Sequence, residues 1–121
     1  MARSLKAGDV LCLVGDLGSG KTTFASSLIS ELTKENNITS PTFNLVHTYD
    51  YSQFPIWHFD LYRLTDINEV YHLGIEDAFA SGLSIIEWPQ IIDSILPLNA
   101  IKIKIDFAER YDSRYVSIER R

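Results

Sequence analysis

The sequence predicts an α/β fold in which a central mixed sheet carries helices on its faces. Three observations lead there. Val10 to Val14 is a short apolar run with the pattern of a buried strand, and it leads into Gly15-Asp16-Leu17-Gly18-Ser19-Gly20-Lys21-Thr22-Thr23. Beyond that turn, Phe24, Ala25, Leu28, Ile29 and Leu32 recur at helical spacing, so strand, glycine-rich turn and helix follow one another. Two neighbouring strand candidates within residues 43–62, and two more at the C-terminal end, favour a mixed sheet over an all-parallel one. Together these features describe a P-loop NTPase-like architecture.

Each element has a local reason. The first helix is expected from Lys21 to Glu35, stopping at the Asn36-Asn37 pair. Ser40-Pro41-Thr42 makes a rigid approach to a strand over Phe43 to Tyr51, which is rich in β-branched and aromatic residues. Ile56 to Tyr62 alternates, with Trp57, Phe59 and Leu61 on one side and His58, Asp60 and Tyr62 on the other. Thr65-Asp66 followed by Glu69 has the form of a capping box, and Gly74 marks the stop of that helix. A second short helix is expected over Glu76 to Ala80, closed by Gly82. Leu83 to Ile86 is a short buried strand ending in Glu87. Ala100 to Phe107 alternates Ile with Lys, and Tyr115 to Glu119 completes a hairpin at a sheet edge.

Size and composition bound the function. With 121 residues the chain is expected to form one domain over residues 1–121, large enough for one core but not two. Apolar residues at 45% and charged residues at 22% are ordinary for a soluble protein. No run approaches the ~20 apolar residues of a membrane span, and no signal-peptide core opens the chain, so a cytoplasmic protein without a membrane partner is expected. The lone Cys12 fits a reducing compartment and, inside an apolar run, reads as a packed thiol. A net charge of −5 argues against strong unaided nucleic-acid binding. The mixed charges after Lys102, including Arg110 and Arg114, read by default as a solvated face.

The chemistry lies in the glycine-rich turn. Gly15-x-x-x-x-Gly20-Lys21-Thr22 is the phosphate-cradling pattern, and residues 15–23 are the expected nucleotide-binding segment. Gly15, Gly18 and Gly20 lack a Cβ, so the loop can turn its N–H groups inward around an anion. The following helix adds free N–H donors and the positive end of its dipole. Lys21 supplies a point charge for the outer phosphates, and the Thr22 hydroxyl can ligate Mg²⁺. Hydrolysis needs further groups. Glu87, at the end of a buried strand, holds the Walker B position and is the second expected metal ligand. Asp60, at the end of another strand, is suited to hold metal-bound water or to orient the attacking water. Thr42 is a candidate switch residue that closes over the γ-phosphate. His58 taken alone reads as a packed histidine. Trp88 reads equally as a buried anchor or as a group facing the site or a partner.

The base is expected to be adenine, since none of the five asparagines is followed by lysine as guanine recognition requires. A compact P-loop small-molecule kinase is the alternative function. Such kinases need an arginine-rich lid, and Arg63 is the lone arginine between residues 23 and 109.

Residues 15–23, Ser40-Pro41-Thr42-Phe43, His58-Phe59-Asp60-Leu61-Tyr62-Arg63 and Glu87-Trp88-Pro89, in this order and spacing, closely resemble the bacterial TsaE (YjeE) family. That resemblance implies a P-loop ATPase needed for threonylcarbamoyladenosine in tRNA, working with the TsaB–TsaD pair and meeting tRNA through that complex. It implies ATP and Mg²⁺ as cofactors, Thr22 and Glu87 on the metal, Asp60 and Thr42 in the active site, and a contribution of Trp88 to activity. It also implies an arginine from the late hairpin near the nucleotide, for which Arg114 is the choice and Arg110 the rival. The family carries a longer segment ahead of the P-loop strand, with a threonine near the base. Only Met1 to Asp9 precede Val10, so this part of the family fold is expected to be missing.

Overall fold

The computed structural model describes residues 4–15, 20–34, 38, 45–107 and 114–120, and from 106 onward the backbone alone. Six strands form one sheet: β1 (Val10–Val14), β2 (Val46–Tyr49), β3 (Ile56–Asp60), β4 (Leu83–Glu87), β5 (Ile101–Phe107) and β6 (Arg114–Arg120), in the order β2-β3-β4-β1-β5-β6. The inner four run parallel, while β2 and β6 are antiparallel edges on β3 and β5. The mixed sheet is the one expected. Hairpins at both ends supply the antiparallel edges because short connections cannot join parallel neighbours.

Helix α1 (Lys21–Thr33) covers one face, burying Ala25, Leu28 and Ile29 against Leu11, Leu13, Ile85 and Ile103. The other face is covered by α2 (Ile67–His72), α3 (Ile75–Ser81) and a 3-10 stretch over Pro89–Ile95, packed on Val10, Cys12, Phe59 and Ile86. Cys12 is a buried thiol in that second layer. Side chains of β4 are buried on both faces and those of β1 and β3 nearly so, as parallel strands between helical layers require, while Lys104 of β5 is exposed.

Several boundaries move for local reasons. Strand β3 ends at Asp60, two residues before the expected Tyr62, because Asp60 Oδ1 accepts from the Tyr62 amide and turns the chain out of the ladder. Tyr62 is then 55% exposed. The N-cap of α2 is Asp66, whose carboxylate accepts from the Asn68 amide, with Glu69 in the first turn. Helix α3 runs one residue further at each end than expected. The 3-10 stretch was not anticipated. Its signal is Pro89 at the first helical position, where a missing N–H costs nothing. Two short turns meet at Ile92, whose backbone is non-helical, so no long periodic pattern marks them in the sequence.

Candidate functional site

The carboxyl ends of β1, β3 and β4 meet at the N-terminus of α1. Asp60 and Glu87 are register partners across β3 and β4, and Glu87 is paired in turn with Leu13 of β1. A period of two along each strand puts Asp60, His58 and Glu87 on the face that α1 covers. The first turn of α1 lies over them. Gly20, with φ of 102°, is its N-cap and takes a left-handed conformation that a residue with a Cβ adopts only under strain. Gly15 ends the strand side of the loop with φ of 154°. The loop residues between them, Asp16, Leu17, Gly18 and Ser19, lie outside the described residues, as do Thr42 and Arg110.

Around this point the polar groups are sunk into the protein. Glu87 is 2% exposed and Lys21 5%. The Thr22 hydroxyl donates to Glu87 Oε1 at 2.8 Å, joining the helix start to the end of β4. Lys21 Nζ donates to the Gly15 carbonyl at 2.7 Å and lies 4.1 Å from the centre of the Trp88 ring. A desolvated ammonium over an indole face is a strong form of the cation–π contact. The ring of Tyr62 lies against Trp88 from the outside, 4.8 Å between centres. Thr23 follows on α1 and is exposed. Arg114 opens β6 opposite Phe107 in the register, at the same end of the sheet as the loop, and its side chain lies outside the described residues.

Two non-glycine residues beside the site have left-handed backbones. Trp88 has φ of 59° directly after Glu87, and Leu45 has φ of 66°, with its carbonyl accepting from the Asp60 amide. Such a conformation is costly for bulky side chains and persists where surrounding contacts over-determine it. At Trp88 it turns the indole under the Lys21 ammonium.

Oxygen donors from Thr22 and Glu87 are chemically suited to Mg²⁺, a hard cation that takes one or two protein groups and fills its remaining places with phosphates and water. Among the described residues no three His, Cys, Asp or Glu side chains gather into a metal site, and a P-loop cation does not require them.

The structure therefore brings Gly15, Gly20, Lys21, Thr22, Asp60 and Glu87 together. Sequence reasoning missed two contacts: Lys21 on Trp88, and His58, whose Nε2 lies 2.7 Å from Glu87 Oε2. Alternation along β3 did place His58 on the side of Asp60. What it lacked was the pairing of β3 with β4, which sets Glu87 one step away.

Similarity to known proteins agrees with this geometry. A family model described as "Threonylcarbamoyl adenosine biosynthesis protein TsaE" matches residues 1–116. The tRNA threonylcarbamoyladenosine biosynthesis protein TsaE of Rickettsia felis is 47% identical over 107 residues, 88% of this chain. The protein of the same description from Bacillus subtilis is 39% identical over 101 residues, 83% of this chain. This chain spans 63% of the length of each of these two relatives. The crystal structure of Bacillus subtilis YdiB superposes with a TM-score of 0.72 at 30% identity, covering 97% of this chain and 71% of that one. No helix among the described residues is long and apolar enough to cross a membrane.

Proposed function

From the chain's membership of the TsaE family, and so of tRNA threonylcarbamoyladenosine biosynthesis, we propose that it binds ATP with Mg²⁺ and hydrolyses it in support of that modification. The observation that carries this reading is the 2.8 Å bond from Thr22 to Glu87 beneath the glycine-rich turn, with Lys21 beside it. A hydroxyl and a carboxylate already in contact offer two oxygens to one cation. The metal, when bound, neutralises charge developing on the phosphate oxygens.

The protein groups take distinct parts. Amides of residues 15–23 surround the β- and γ-phosphates. Lys21 exchanges the Gly15 carbonyl and the Trp88 face for phosphate oxygens, at one end of a long flexible stem. Asp60, on the strand beside Glu87, is placed to orient the attacking water. Thr42 closes over the γ-phosphate and Arg114 reaches the nucleotide from β6. The partners are the TsaB–TsaD pair, with tRNA engaged through them.

Steady-state phosphate release from the purified chain tests the proposal. ATP turnover that needs Mg²⁺ and stops with a chelator is expected, alongside ATP binding by calorimetry. A chain that binds no ATP under either condition overturns it.

A further inference from the structure

His58 is the buried titratable group to which the reading above gives no task. It is fully buried in β3, and its Nε2 lies 2.7 Å from Glu87 Oε2. The other ring nitrogen, Nδ1, is buried without a hydrogen-bond partner. That asymmetry is informative. A carboxylate only accepts, so the ring donates from Nε2–H, and Nδ1 is left unpartnered. Burying a polar atom with no partner costs free energy that an aliphatic side chain in the same strand would avoid. The ring's one hydrogen bond is therefore the return on that cost.

Glu87 is held at both oxygens, Oε1 by the Thr22 hydroxyl at 2.8 Å and Oε2 by His58 at 2.7 Å. The two anchors come from different elements, one from the start of α1 and one from β3. With a single anchor the carboxylate plane can swing about its last torsion, which is broad and soft. With two it has one orientation.

We propose that His58 is the positioning residue of this site: its Nε2–H fixes the plane of the Glu87 carboxylate, so that Oε1 stays turned toward Thr22 and a divalent cation placed there. The inference rests on the reading of Thr22 and Glu87 as the metal-facing pair. His58 itself touches neither nucleotide nor metal, and acts through Glu87 as outer partners act on metal ligands.

The test uses three measurements on the purified chain. Glutamine carries its amide nitrogen close to the place of an imidazole Nε2, whereas asparagine stops short near Nδ1. Mn²⁺ affinity of the protein with ADP, read by electron paramagnetic resonance, should fall by about 10–100-fold in His58→Asn, and His58→Gln should rescue it. The Mg²⁺ concentration for half-maximal ATP hydrolysis should rise in parallel. Long-range proton–nitrogen correlation on the wild-type imidazole reads the tautomer without asking any variant to fold. A proton on Nε2 is expected, and a bare Nε2 overturns the inference. So does a His58→Asn variant that binds Mn²⁺ as the wild type does. Failure of the wild type to bind metal with nucleotide, with the Nε2 proton in place, overturns instead the metal-facing reading of Thr22 and Glu87.

Discussion

The Lys21 side chain sits between the Gly15 carbonyl and the Trp88 ring, buried to 5% exposure. A carbonyl and an aromatic face can both give way to phosphate oxygens, which suits a group meant to meet phosphate. Replacing it with alanine removes charge-assisted bonds worth about 1.5–3 kcal/mol each, on the order of 10–100-fold in affinity per bond. Lys21→Ala should therefore lose ATP binding by calorimetry while its unfolding transition remains cooperative. Unchanged affinity would remove the phosphate-binding role. Glu87 and Asp60 should behave differently. A carboxylate that holds metal or water acts most strongly as charge builds on the transferring phosphoryl group. Glu87→Gln and Asp60→Ala are expected to lower kcat by on the order of 10²–10³-fold and to change ATP affinity far less. Normal rates at saturating ATP in both variants would make these strand-end carboxylates structural.

At the scale of elements, the junction of α3 with β4 leaves no room for a side chain at Gly82. A Cβ on Gly82 would lie 2.6 Å from the Pro55 carbonyl oxygen and 3.0 Å from Trp57 Cδ1. The first contact is backbone and cannot swing aside. Gly82→Ala should destabilise the protein by about 1–3 kcal/mol, seen as a lower Tm, whereas Ser81→Ala at the exposed helix end should stay within about 0.5 kcal/mol. A variant at Gly82 as stable as wild type would show that β3 and α3 separate more easily than this packing implies. The same junction shows what the sequence could and could not disclose. Gly82 was legible as a stop because helix termination is local. The face of α1 was legible because Ala25, Leu28 and Ile29 repeat at helical spacing, and the site loop because strand, glycines and helix are contiguous. Strand order was not legible, since β4 lies between β1 and β3 only through contacts distant in sequence. His58 reads as a packed histidine until β3 is laid beside β4, and Trp88 has no assigned direction until its backbone is known to be left-handed.

At the scale of the whole molecule, fixed positive charge is scarce among the described residues where the γ-phosphate would lie. Lys21 is the buried cation of the site, and Arg63 is the lone arginine between residues 23 and 109, exposed beyond the end of β3. A charge placed over the transferring phosphoryl group can be worth 10³-fold or more in rate. A site that, as proposed, depends on one lysine and on a hairpin arginine is expected to turn over slowly by itself. Acceleration is expected when a bound protein brings further positive charge to that phosphoryl group. The net charge of −5 favours a protein surface over tRNA as the first contact, because nucleic-acid affinity draws on basic surface and counterion release. The aromatic pair of Tyr62 and Trp88, the first 55% exposed, lies at the mouth of the site, so a partner seated there would bear on Lys21 through the indole. Steady-state phosphate release should therefore rise on adding the TsaB–TsaD pair and remain at its basal rate with tRNA alone. Trp88→Ala should reduce that stimulation more than it reduces ATP affinity. Stimulation by tRNA alone, with none from the protein pair, would reverse the order of contacts and place the first partner on the basic C-terminal hairpin instead.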